Sequence, residues 1–164
     1  MAETWTAATG ASAADRIVAC YADTIFRVAV HYLKNREDAE DVVHDVLLKW
    51  LETAPAFQDG GHEKAWFIRV AVNACKDKRK SAYFSRRVGL ERCAELPAKP
   101  SSTLLREVLL LPPQYSTLLY LHYYEGYSVR ELSRMLGKGE RAIQSQLYRA
   151  RQKLKSEMEE SEDG

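Results

Sequence analysis

Residues Ser128–Leu154 read SVRELSRMLGKGERAIQSQLYRARQKL. A serine followed three residues later by Glu131 has the form of a capping box, in which side chain and backbone satisfy each other at a helix start. An apolar ladder then runs through Leu132, Met135 and Leu136, stops at Gly137-Lys138-Gly139, and resumes at Ile143 and Leu147. A short capped helix, a glycine turn and a longer second helix are the parts of a helix-turn-helix. If those five apolar residues pack between the helices, Gln144, Ser145, Tyr148 and Arg149 face outward. Amides pair with base edges, and Arg, Ser and Tyr reach phosphates. Arg149, Arg151, Lys153 and Lys155 add the positive charge that a phosphate backbone requires. The competing reading is a solvated helix whose basic end suits the macrodipole.

Outward from this stretch, the helical period continues and strand alternation is almost absent. Thr103–Leu111 reads as a short apolar helix. Pro112 and Pro113 stop it and suit the first turn of the next, over about Gln114–Tyr124 and ending at Gly126. Upstream, SRRVGLERCAELPAKPSS breaks the pattern with Pro97, Pro100 and a serine pair, and reads as a linker. Nearer the N-terminus, Ile17, Val18, Tyr21, Ile25, Val28, Ala29 and Tyr32 recur at three- and four-residue steps, predicting a long first helix. Asn35 has the form of an N-cap, with Asp38 three residues on, for a second helix to about Glu52. Its apolar stripe is Ala39, Val42, Val43, Val46, Leu47 and Trp50. TAPAFQDGG is a loop, and a third helix starts at about Glu63 with Trp66, Phe67, Val70 and Ala74 on one face. The expected fold is all-α, with small helical domains over 11–86 and 103–160 joined by a flexible linker over 87–102.

Charge is nearly balanced, Lys+Arg 24 against Asp+Glu 23, yet it is unevenly spread. Lys76–Lys80 reads KDKRK and Tyr148–Lys155 reads YRARQKLK, whereas Asn35–Glu52 is acidic. Neutral totals therefore do not exclude nucleic acid, because binding depends on local patches. The three cysteines, Cys20, Cys75 and Cys93, are an odd number without a CxxC pair, which argues against a disulfide framework or zinc site. Cys20 and Cys75 fall at apolar-periodic positions. MAETWTAATGASAADR lacks the basic start and apolar core of a signal peptide. No apolar run approaches the roughly 20 residues that span a bilayer, so a cytoplasmic chain without membrane insertion is expected. No P-loop, GxGxxG or nucleophile–histidine constellation is visible, so neither enzymatic activity nor a cofactor is expected.

Two N-terminal stretches carry candidate surfaces. In NREDAEDVVHDVLLKW (Asn35–Trp50), Glu40, Asp41, His44 and Asp45 admit three readings: metal ligands, a docking surface or a wet face. A metal needs converging ligands, and no Glu-x-x-His motif stands elsewhere to complete a bundle site. An acidic rim around apolar residues favours protein docking, so no metal site is expected. HEKAWFIRVAVNACKDKRKSAYF mixes aromatic and basic side chains, a composition that suits single-stranded nucleic acid. Within it, Trp66 and Phe67 read as core before base platforms. Asn73 is either a base-edge contact or a polar group satisfied within the bundle.

Taken in order, DAEDVVHDVLLKW, AWFIRVAVNACKD and LPPQYSTLLYLHYYEGYSVRELSRMLGKGERAIQSQLYRARQKLK resemble the extracytoplasmic-function (ECF) sigma factors of bacterial RNA polymerase, over about residues 15–156. The resemblance implies an alternative sigma factor with core RNA polymerase and promoter DNA as partners, and often an anti-sigma factor as well. Asp38, Glu40, Asp41, Val42, His44, Asp45 and Leu48 would dock on the clamp helices of the largest subunit, and the second domain on the flap. The loop with Phe57 and Gln58 would capture a flipped −10 base, and Asn73, Lys76 and Lys80 would contact that strand. Trp66 matches a structural tryptophan. Arg141, Gln144, Ser145, Gln146, Tyr148 and Arg149 would read the −35 element. Departures from the family pattern are His44 for glutamine, Arg141-Ala142 for Gly-Thr, and Gln144 and Gln146 for basic residues. Losing two cations weakens phosphate anchoring, which Arg141 partly restores. Two other readings remain open. One is a stand-alone helix-turn-helix regulator; the other is a degenerate sigma-like protein that binds polymerase without reading promoters.

Overall fold

The computed structural model describes residues 10–85 and 103–163, with side chains for 13–81 and 106–160. The expected linker over 87–102 lies outside the described residues, as do Cys93 and the side chains of Tyr83 and Phe84. Seven α-helices are described: α1 Gly10–Leu33, α2 Arg36–Thr53, α3 Gly60–Ser85, α4 Thr103–Leu110, α5 Pro113–Leu119, α6 Val129–Leu136 and α7 Glu140–Asp163. A π-helical turn, Tyr120–Tyr124, continues α5. The all-α expectation holds, and among the described residues there is no strand.

Helix ends follow local chemistry. The Asn35 side chain accepts from the Asp38 N–H at 2.8 Å, so α2 starts where the N-cap predicts. The expected start of α3 at Glu63 is three residues late. Asp59 takes the N-cap role instead, its carboxylate accepting from the His62 N–H at 2.8 Å and its carbonyl from the Glu63 N–H at 3.0 Å. At the other end of the chain, α7 runs past Glu159 to Asp163, so the acidic tail extends the basic helix.

α1 is the hub. It packs on α2 and α3 through Ile17, Tyr21, Ile25, Val28 and Ala29, which meet Ala39, Val42 and Val46 of α2 and Phe67, Ile68, Ala71 and Cys75 of α3. Two expected core positions differ. Val18 is 48% exposed and Cys20 is exposed, because both lie on the solvent side of α1. The buried face of α3 is Phe67, Ile68, Ala71, Val72 and Cys75, while Trp66, Val70 and Ala74 are half-buried. α3 meets α1, α2 and α6, so a wider arc is covered than a single apolar stripe predicts. In the C-terminal half, Leu132 and Met135 of α6 pack with Ile143, Leu147 and Ala150 of α7, and Leu136 is partly buried, as expected.

The two halves touch. Arg27 donates to the Tyr124 hydroxyl and Lys34 to the Leu109 carbonyl. Lys64 pairs with Glu125 at 2.7 Å. Buried His31 lies 2.7 Å from the Ser116 hydroxyl and stacks on Tyr120 at 4.7 Å. Burial, with Lys34 and Arg27 nearby, pushes the His31 pKa down to about 3, so the ring is neutral.

Candidate protein and nucleic-acid interfaces

The outer face of α2 presents Glu40, Asp41, His44, Asp45 and Leu48 to solvent, with Asp38 half-buried at its start. Leu48 and Leu51 are 54% and 59% exposed, an apolar pair beside carboxylates. Leu51 completes this patch three residues from Leu48, a helical spacing that the sequence reading passed over. Val42 is 0% exposed and belongs to the core, so it is removed from the expected docking set. Its i, i+4 partner Val46 is buried with it, which places the α2 core seam on that side. Arg36 pairs with Glu40 at 3.6 Å, and Lys78 of α3 with Asp41 at 3.3 Å. Among the described residues, no group of three or more His, Cys, Asp or Glu is placed to hold a metal ion.

The loop between α2 and α3 is held from within. Phe57 packs edge-on against His62 at 5.4 Å and Trp66 at 5.8 Å, with Phe67 beneath at 6.4 Å. The exposed Gln58 donates its backbone N–H to His62 Nδ1 at 3.1 Å. At the foot of the loop, the Glu63 carboxylate is gripped by Arg16 through two bonds of 3.1 and 2.9 Å and by the Tyr21 hydroxyl at 2.6 Å. Burial and the bond to Glu63 raise the Tyr21 pKa, keeping its proton in place to donate. Sequence reasoning missed this network because nothing local pairs Arg16 with a residue 47 positions away. Trp66 is half-buried in the aromatic cluster, in keeping with a structural role.

Along α3, Arg69, Asn73, Lys76 and Lys80 recur at steps of four, three and four, which sets them on one face. Arg69, Asn73 and Lys80 are exposed. Asn73 is therefore not a polar group sealed in the bundle. Lys76 is half-buried and turns toward the C-terminal half. Arg69 was not among the expected residues, although the spacing alone marks it. Cys75 is inert: burial pushes its thiol up to about 12.

The helix-turn-helix forms as its sequence predicts. Ser128 Oγ accepts from the Glu131 N–H at 3.1 Å, and the Glu131 carboxylate accepts from the Ser128 N–H at 2.9 Å. Gly137, at φ +68°, sends the chain into the turn, and its N–H returns to the Ser133 carbonyl at 3.0 Å. On α7, Arg141, Gln144, Ser145, Tyr148 and Arg149 are all exposed and share one face. Gln146 does not join them. It is half-buried and lines the cleft toward α1 and α3.

Known proteins share this arrangement. Residues 17–84 match the Sigma-70 region 2 family, and residues 101–154 match Sigma-70, region 4. The ECF RNA polymerase sigma factor BldN of Streptomyces coelicolor is 31% identical over 153 residues, covering 85% of this chain but 58% of that protein's length. The RNA polymerase sigma factor SigV of Bacillus subtilis is 28% identical over 146 residues, covering 82% of this chain and 86% of SigV. Among solved structures, the sigma factor RpoE in complex with the anti-sigma factor NepR from Bartonella quintana superposes with a TM-score of 0.71 at 18% identity, over 88% of this chain and 96% of that one. No helix among the described residues is long and apolar enough to cross a membrane. With both sigma regions in order and ECF proteins among its relatives, the chain belongs to the extracytoplasmic-function family of RNA polymerase sigma factors.

Proposed function

We propose that this chain acts in the cytoplasm as an alternative sigma factor, directing core RNA polymerase to promoters by binding alone and without bond-making chemistry. The observation that carries the reading is the face of Arg141, Gln144, Ser145, Tyr148 and Arg149, exposed on the second helix of a capped helix-turn-helix. In this reading, 11–86 is the polymerase and −10 domain, 87–102 the linker and 103–160 the −35 domain. The family matches over 17–84 and 101–154 support that division.

The first domain docks on the largest-subunit clamp helices through Asp38, Glu40, Asp41, His44, Asp45, Leu48 and Leu51. The second reaches the flap and reads −35 duplex through α7. Phe57 and Gln58 hold an extruded −10 base, with Asn73, Lys76, Lys80 and Arg69 along the strand. Extruding a base costs a few kcal/mol, so a pre-formed loop that receives it selects sequence and favours melting together. Bonds within this chain through Asp59, His62 and Glu63 brace the loop, which supports that role. Gln146 is left out of the −35 set while it faces the cleft. The complex of the sigma factor RpoE with the anti-sigma factor NepR supports an anti-sigma partner for this chain as well.

Run-off transcription with purified bacterial core polymerase on a pool of random promoters tests the assignment. Specific start sites are expected from the wild-type chain. Leu48→Asp should lose them together with core binding, and Arg149→Ala should lose −35-dependent starts while core binding persists. Stable core binding without transcripts would point to a degenerate sigma-like protein. Tight duplex binding by the chain alone, with neither core binding nor transcripts, would point to a stand-alone regulator.

A further inference from the structure

A cavity of about 90 Å³ lies where the two halves meet, several times the space one water needs. Lys76 of α3 and Lys138 of the helix-turn-helix turn line it from opposite halves, and no carboxylate does. Neither lysine forms an ion pair among the described residues. Thr117 is 4% exposed, lines the same cavity, and leaves its hydroxyl without a hydrogen-bond partner. The amide side chains of Gln114 and Gln146 add further donors, over an apolar floor that includes Val72 and Leu118. Two like charges facing one partly desolvated space repel each other, and an unpartnered buried hydroxyl is costly. One ligand relieves both: a small anion with several acceptor oxygens.

We propose that this cavity binds a tetrahedral phosphate group, either free phosphate or the terminal phosphate of a small metabolite, between Lys76 and Lys138 with Thr117 donating to it. Burial and the neighbouring Lys76 lower the Lys138 pKa, the direction expected of a cation awaiting an anion. Because the two lysines belong to different halves, the bound anion ties the halves together. It also occupies Lys76, which the reading above assigns to promoter DNA, although binding itself does not depend on that reading.

Isothermal titration of the full-length protein with inorganic phosphate, at ionic strength matched by chloride and without DNA, tests this directly. Saturable binding is expected for the wild type. Lys138→Met should weaken it about tenfold or more, as loss of a charge-assisted bond implies. Thr117→Val should weaken it a few-fold, with circular dichroism confirming that both variants are folded. Parallel titration with a nucleoside triphosphate separates the two sources: tighter binding assigns the site to a phosphate ester, weaker binding to the free ion. Absence of saturable binding of either ligand, an equal heat from chloride, or full affinity in Lys138→Met would overturn the proposal.

Discussion

Glu63 is 1% exposed, and its burial is tolerated because Arg16 meets both of its carboxyl oxygens while Tyr21 donates to one. A buried carboxylate with fewer partners would be strongly disfavoured. The network joins the first turns of α1 to the start of α3, directly behind the loop that carries Phe57 and Gln58. Glu63→Ala removes one partner and leaves the Arg16 guanidinium, 26% exposed, without its carboxylate. We expect a loss of about 3 kcal/mol in chemical denaturation, with Glu63→Gln retaining part of it through neutral hydrogen bonds. If Glu63→Ala unfolds at the wild-type denaturant midpoint, the network is ornamental.

At the scale of the element, α6 shows how little a short helix owes to its length. Eight residues are too few to be stable alone in water. Its reciprocal cap at Ser128 and Glu131, its left-handed exit at Gly137 and its buried Leu132 and Met135 hold it instead. Ser133 adds a bond from its hydroxyl to the Lys138 carbonyl at 2.5 Å, which closes the turn. Ser128→Ala should cost about 1 kcal/mol by thermal unfolding. Because α6 positions α7, the same change should also raise amide exchange in α6 more than in α2. Equal exchange in the two helices would mean that tertiary packing, not the cap, sets α6.

Across the whole molecule, His31 is a buried titratable group at the junction of the halves. Its ordinary pKa is 6.5 and its folded value is about 3, so across that window the unfolded chain binds more protons than the folded one. Stability from the neutral ring is therefore full above pH 6.5 and lost progressively as pH falls toward 3. The loss reaches about 1.4 kcal/mol one unit below pH 6.5. Lys34 and Arg27 sharpen the effect, since a protonated ring would face both cations. Replacing the imidazole, as in His31→Phe, should flatten the fall in melting temperature between pH 7 and 5. An unchanged slope in the variant would assign the acid sensitivity to other groups.

Periodicity and capping residues were enough to tell which segments are helical and where several of them begin. Caps and turns are local chemistry: Asn35 with Asp38, Ser128 with Glu131 and Gly137 act within four residues. The outward face of α7 was legible for the same reason, because a 3.6-residue period fixes Gln144, Ser145, Tyr148 and Arg149 relative to Ile143 and Leu147. Periodicity does not reveal how many neighbours a helix has. So Val42 was expected on the docking face and is core, and Gln146 was expected on DNA and lines a cleft. Tertiary structure alone decided the Arg16–Glu63–Tyr21 network, the His31–Ser116 contact and the pairing of Lys76 with Lys138 across a shared cavity. Each joins residues dozens of positions apart, brought within reach by the packing of α1 on α3 and α5 and of α3 on α6.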